Sequence, residues 1–169
     1  MKRLLLLRHA KSSRDDPGRE DFDRPLAKRG RAAAPEIGRF LRQAGLAPDL
    51  VLCSAARRTR ETAELTLAEL DRKIPVRFED GLYLAPPEQM LRFVRAAAAE
   101  VGTLLIVGHN PGTAQLAQML AADGDKAALR RLREKYPTGG LAVLEADVAG
   151  WQAFDRARLT RFVVPADLA

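Results

Sequence analysis

Three short runs made only of apolar residues limit most sharply what this chain can fold into: Leu4–Leu7, Leu50–Cys53 and Leu104–Val107. Four residues are too few for a helix with one wet face, and they suit strands buried on both faces of a parallel sheet. Val76–Phe78 is a fourth, weaker run. Helical patterns separate them. Ala33, Ile37, Phe40, Leu41 and Ala44 recur at helical spacing before a stop at Gly45, with Pro35 inside, so this helix either kinks there or starts just before it. Arg57–Leu70 reads as a second helix with Thr59, Ala63, Leu67 and Leu70 on one face. Pro86-Pro87 opens a third, with Met90, Leu91, Val94, Ala97 and Ala98 inward, and Pro111–Ala121 forms a fourth. Leu141–Ala146 and Trp151–Arg158 read as two strands joined by a turn at Ala149-Gly150. Alternating strands and helices predict an α/β fold. The expectation is one domain over residues 1–169. It is a three-layer sandwich with a mainly parallel central sheet, helices on both faces and a C-terminal antiparallel hairpin.

Composition narrows the function. With 47% hydrophobic and 30% charged residues the chain is globular, and 169 residues suffice for one real core. Met1-Lys2-Arg3 followed by four leucines begins like a signal peptide. The apolar run is too short, and Arg8-His9-Ala10-Lys11 follows at once. No run is long enough to span a bilayer. The single Cys53 excludes an internal disulfide, and no Cys/His cluster has zinc spacing, so a cytoplasmic protein without metal or cofactor is expected. A net charge of +6 fits either nucleic acid or small phosphorylated substrates. Basic and acidic residues are interleaved, as in Arg14-Asp15-Asp16 and Arg19-Glu20-Asp21, which assigns most arginines to a solvated surface. Six Phe, two Tyr and one Trp form no aromatic-basic stacking motif, which argues against nucleic acid. A monomer with no membrane partner is expected.

The chain has two histidines, and each directly follows a buried-type strand: Leu7-Arg8-His9 and Val107-Gly108-His109. The run ending in Cys53-Ser54 is followed at once by Arg57-Arg58. Ligands bind at the carboxyl ends of strands in open α/β sheets. If the three strands are neighbours, two imidazoles and two or three guanidiniums meet in one crevice, with no carboxylate in these motifs. Such uncompensated charge calls for an anion, and a phosphoryl group is the obvious one.

These residues match a family. Arg8-His9-Ala10 resembles the Arg-His-Gly signature of the histidine phosphatase superfamily, the phosphoglycerate mutase-like proteins. Ser54-Ala55-Ala56-Arg57-Arg58-Thr59-Arg60-Glu61-Thr62-Ala63 is similar to the second motif, whose register from the serine selects Arg58 over Arg57. Gly108-His109-Asn110 resembles the third motif, and Asp23-Arg24-Pro25-Leu26 with Gly30 the Pro-Leu-x-x-x-Gly element after the first. The start Arg-His-Ala-Lys-Ser-Ser and Leu82-Tyr83-Leu84-Ala85 look most like SixA-type phosphohistidine phosphatases. The resemblance implies a phosphohistidine intermediate on His9, with Arg8, Arg58 and His109 as the other catalytic residues. Neutral imidazole is a good nucleophile near pH 7. Arg8 and Arg58 would grip phosphoryl oxygens, and a protonated His109 would add a third positive donor. Ser12 either binds substrate as well or is a loop serine facing water.

Many members of the superfamily carry an acid that protonates the leaving group. The candidates for general acid here are Glu79 and Asp80, both of which also read as turn residues. A weak or missing acid favours phosphohistidine, whose imidazole leaves easily, over a phosphoester, whose alkoxide needs a proton. Ala10 in place of the family glycine narrows backbone freedom beside His9. The expected partner is therefore a phosphorylated protein or a small phosphorylated substrate. The alternatives are a small-molecule phosphomonoesterase of the same superfamily and a non-catalytic basic binding module. A cysteine phosphatase would need an arginine six residues after Cys53, where Thr59 stands, so Cys53 reads as a core residue.

Overall fold

In the computed structural model, which describes residues 1–169, the three apolar runs lie side by side in the middle of one seven-stranded sheet. Its strands are β1 (Lys2–Arg8), β2 (Leu50–Ser54), β3 (Val76–Glu79), β4 (Thr103–Gly108), β5 (Ala121–Gly124), β6 (Leu141–Ala146) and β7 (Ala157–Val163). The spatial order is β3-β2-β4-β1-β6-β7-β5. The first four in that order are mutually parallel, β6 runs antiparallel to both β1 and β7, and β5 is parallel to β7. In register, Leu4 stands opposite Leu104, which on its other side stands opposite Leu50.

Six helices cover the sheet: α1 (Lys28–Gln43), α2 (Arg57–Leu67), α3 (Pro87–Arg95), α4 (Gly112–Leu120), α5 (Lys126–Glu134) and α6 (Pro165–Leu168). The period of two along each strand divides the core. Leu4, Leu6, Leu52 and Ile106 pack with Met90, Val94, Leu116 and Leu132 of α3, α4 and α5. Leu5, Leu7, Val51, Cys53, Leu105 and Val107 pack with Ile37, Leu41 and Ala63 of α1 and α2. Both faces are covered, so the layering is the expected three-layer sandwich. Leu4–Leu7 are fully buried, each contributing about 1.5–3 kcal/mol of apolar transfer, and this places β1 at the centre.

The structure departs from the sequence expectation at several points. α1 begins at Lys28, well before Pro35, and continues through it. The proline removes one backbone donor, while Ala34, Ile37, Gly38 and Leu41 on the same helix are buried. α2 stops at Leu67, and α3 stops at Arg95, leaving Ala98 exposed. Trp151–Arg158 is not a strand. Trp151–Ala153 is a 3₁₀ turn, and the hairpin partner of β6 is Ala157–Val163. Trp151 and Phe154 are wholly buried and stacked with centroids 5.2 Å apart, and the Trp151 indole donates to the Val101 carbonyl at 2.6 Å. They plug one end of the core instead of alternating along a ladder. β5 and α5 have no counterpart in the sequence pattern. Ala121-Ala122-Asp123-Gly124 contains no strand-favouring residue and lies at the sheet edge. In α5 only Ala128 and Leu132 are buried among charged neighbours.

The strand ends set up the site. β1, β2 and β4 are parallel neighbours, so the residues that follow them emerge on one edge. Gly139, at φ +76°, donates its amide to the carbonyls of both Arg8 (3.1 Å) and His9 (3.0 Å). A side chain there would meet the Pro165 ring at 2.7 Å as well as being strained. The backbone that carries Arg8 and His9 is thereby tied to the loop that leads into β6.

Candidate active site

The carboxyl edge of the sheet carries a cleft of about 320 Å³ lined almost wholly by polar residues, among them Arg8, His9, Ser12, Asp21, Arg24, Arg58 and His109. Arg8 and His9 reach it from the end of β1, His109 from the end of β4, and Arg58 from the first turn of α2. The rings of His9 and His109 lie 5.5 Å apart. Arg57, one residue before Arg58, is exposed and pairs with Glu61 at 3.2 Å. A step of one residue turns about 100° around a helix, so only one of the two arginines can face the cleft.

Hydrogen bonds assign the tautomers of both imidazoles. Nδ1 of His9 lies 2.7 Å from the Ala10 carbonyl, which can only accept, so Nδ1 carries the proton and Nε2 carries a lone pair. At His109, Nδ1 lies 3.3 Å from Nη2 of Arg58, which can only donate. Nε2 of His109 therefore carries the proton and donates to Ser54 Oγ at 2.8 Å. Both rings are neutral. Burial depresses the His9 pKa to about 4, with Arg58, Arg8 and Arg24 adding to the effect against the Ala10 bond. Burial, and then Arg58, depresses that of His109 to about 3. His109 is thus neutral, and it becomes a third positive donor only if protonated, which its burial and the facing Arg58 oppose.

The arginines are short of partners. Arg8 donates from Nη1 to the Tyr136 carbonyl at 3.0 Å, and burial and Arg58 lower its pKa. The Nε–H groups of Arg8 and Arg58 are both buried without an acceptor in the chain. Buried donors without acceptors are costly unless a ligand takes them.

One side chain corrects the expectation of a cleft without carboxylates. Asp21, in a short 3₁₀ turn, accepts from Nη2 of Arg58 at 3.1 Å, from Nη1 of Arg24 at 2.8 Å and from the Tyr83 hydroxyl. Those bonds, Tyr83 first, hold its carboxyl well below the usual carboxylate range. Tyr83 also sets its ring edge-on to His109, with centroids 5.4 Å apart. Asp21 belongs to no motif, and Tyr83 stands in the Leu82-Tyr83-Leu84-Ala85 segment, where the sequence assigns it no role. Asp21 looked like one more member of an interleaved surface run, and its only signal was the i,i+3 spacing to Arg24. Ser12 lines the cleft and accepts from Arg24. Glu79 and Asp80 do not line it; Glu79 pairs with Arg77 at 3.5 Å and Asp80 is exposed. Cys53 is fully buried facing α1 and α2, and burial pushes its thiol up to about 12, as suits a core residue. No group of three or more His, Cys, Asp or Glu side chains is arranged to hold a metal ion. No helix is long and apolar enough to cross a membrane.

This edge of the sheet gathers two arginines and two neutral imidazoles on an α/β scaffold, and comparison with known proteins places that scaffold in a family. The family model of the histidine phosphatase superfamily (branch 1) matches residues 4–83. The protein Rv1276c of Mycobacterium tuberculosis (strain ATCC 25618 / H37Rv) is 44% identical over 146 residues, covering 85% of this chain and 88% of that one. A solved structure from Agrobacterium tumefaciens, provisionally designated phosphohistidine phosphatase SixA, is 34% identical with a TM-score of 0.81. The match covers 97% of this chain and 98% of that one. A structure from Nakamurella multipartitia with the same provisional designation is 32% identical, has a TM-score of 0.84 and covers 97% and 96%. The chain belongs to the histidine phosphatase superfamily.

Proposed function

We propose that this phosphatase removes the phosphoryl group from phosphohistidine in proteins, by way of a phosphohistidine on its own His9. The observation that carries the proposal is the His9 tautomer. With Nδ1–H tied to the Ala10 carbonyl at 2.7 Å, Nε2 is left as a lone-pair nitrogen in a cleft with two arginines. Neutral at pH 7, it needs no separate base.

In the first step Nε2 of His9 attacks phosphorus in line as the phosphorus–nitrogen bond of the substrate breaks. The substrate imidazole departs with the electron pair and takes up a proton from water. Arg8 and Arg58 supply donors to the phosphoryl oxygens, their Nε–H groups among them. A dianion beside His109 reverses the balance set by Arg58 and favours protonation of Nδ1, which turns that nitrogen from acceptor to donor. In the second step water attacks phosphorus, the bond to His9 breaks, and inorganic phosphate leaves with His9 neutral again.

The leaving group points to the substrate class. Glu79 and Asp80 lie outside the cleft, and Asp21 is held ionised by three donors. A placed general acid is worth roughly 10²–10⁴-fold in rate, and its absence penalises alkyl phosphates far more than phosphohistidine. The designation carried by the two solved relatives supports the same reading. The second reading, a small-molecule phosphomonoesterase, rests on Asp21. If a bound phosphoryl group displaces Arg58 from it, Asp21 can take a proton and serve esters. The deciding measurement is kcat/KM for a phosphohistidine peptide, an aryl phosphate and an alkyl phosphate. The expected ranking is in that order. Efficient alkyl phosphate turnover that collapses in Asp21→Asn would replace the first reading by the second.

A further inference from the structure

Leu84 is the sole residue other than glycine with a positive φ, at +51°. A leucine is rarely found there, because its Cβ crowds the backbone, and strain of this kind persists where neighbouring contacts impose it. Those contacts are present. The amide of Ala85 donates to Leu82 at 3.3 Å and that of Tyr83 to Asp80 at 3.1 Å, while the Tyr83 hydroxyl is held by Asp21. The Ala85 carbonyl lies so close to α4 that a Cβ on Gly112 would stand 2.0 Å from its oxygen. The outcome is a large apolar side chain, 53% exposed, that is the single hydrophobic residue lining the catalytic cleft.

Its place in the topology gives the side chain a direction of use. The strands run in the order β3-β2-β4-β1 with parallel carboxyl ends. His9 follows β1, while Leu84 lies in the segment between β3 and α3. His109 and Arg58, which follow β4 and β2, stand between them. A phosphoryl group held by those two and attacked in line from the β1 side must expel its leaving group toward the β3 side.

We infer that Leu84 is a specificity residue whose side chain packs against a flat, apolar leaving group, an imidazole or aryl ring, as it departs from phosphorus. The inference rests on His9 being the nucleophile. Packing against a ring buries apolar area on both partners and is available neither to ammonia nor to a short polyol. It makes the cleft selective for ring leaving groups independently of any general acid.

The test compares phosphoimidazole and 4-nitrophenyl phosphate with phosphoramidate, which has the same phosphorus–nitrogen bond and no ring. Leu84→Gly removes the contact and relieves the strain, so its Tm should equal or exceed that of the wild type. Leu84→Asn also tolerates the positive φ and serves as a polar second variant. In both, kcat/KM for the two ring substrates should fall about tenfold, the scale of a partly buried apolar contact, while phosphoramidate turnover holds within twofold. A uniform loss across the three substrates, or an unchanged ratio, overturns the role of Leu84 and leaves the nucleophile in place. Phosphoramidate turnover that persists in His9→Ala overturns both.

Discussion

Arg58 is held twice by one residue: Nη1 donates to the backbone carbonyl of Asp21 at 2.7 Å and Nη2 to its carboxylate at 3.1 Å. The carboxylate therefore occupies one Arg58 donor that a phosphoryl group would use, and its negative charge stands close to where a dianion must sit.

Removing that charge without changing shape should favour anions. The Asp21 side chain is 45% exposed, and ion pairs of this kind are worth about 0.2–1 kcal/mol. Asp21→Asn is expected to bind inorganic phosphate or orthovanadate about two- to fivefold more tightly, measured as a competitive inhibition constant. Weaker binding in this variant would mean that Asp21 acts by keeping Arg58 in place.

The same guanidinium should dominate catalysis over its neighbour. Arg58→Ala is expected to lose about 2–4 kcal/mol of transition-state stabilisation, the scale of one preorganised donor to developing charge. Arg57, exposed and paired with Glu61, should tolerate alanine within about threefold in kcat/KM. The reverse order would exclude Arg58 as the phosphate ligand.

A covalent intermediate makes His9 traceable. Rapid acid-free quenching of wild type with labelled substrate should leave phosphate on His9, and His9→Ala should be inactive yet folded. Turnover should also persist in a strong chelator, since positive charge from Arg8 and Arg58 takes the place of a divalent ion. A label on Cys53, or activity restored only by a divalent ion, would contradict this scheme.

Two buried neutral histidines make stability depend on pH. In the unfolded chain each takes up a proton near its ordinary value of 6.5, whereas in the fold His9 resists until about 4 and His109 until about 3. Between these limits the unfolded state binds more protons, so stability is full above about 6.5 and falls as the pH drops through this window. Tm should decline from pH 6.5 to 5, and His109→Gln should decline less steeply. A flat profile over that range would mean that the histidines are not buried in neutral form. For the same reason the acid limb of kcat/KM assigned to His9 in the free enzyme should lie near 4, well below 6.5.

What the sequence by itself determined was the scaffold and the four groups that converge on it. Leu4–Leu7, Leu50–Cys53 and Leu104–Val107 are apolar on both faces, so they had to be central strands. The residues that follow a central strand in a parallel sheet have only its carboxyl edge to occupy. That logic is local and periodic, and it carries Arg8, His9, Arg58 and His109 to one place without knowledge of any contact. The tertiary structure alone decided what those groups meet. Asp21 and Tyr83 are far apart in the chain and belong to no periodic pattern, yet a single hydrogen bond joins them beside Arg58. The neutral state of His109 depends on burial and then on an arginine across the cleft, its tautomer on that arginine and on Ser54, and the strained Leu84 on what its neighbours Tyr83 and Ala85 touch. The late hairpin was displaced for a similar reason. Trp151 and Phe154 found a buried end of the core that alternation along the chain does not report. Periodicity records which face of an element is wet, whereas charge state, tautomer and strain are set by neighbours brought together only when the chain has folded.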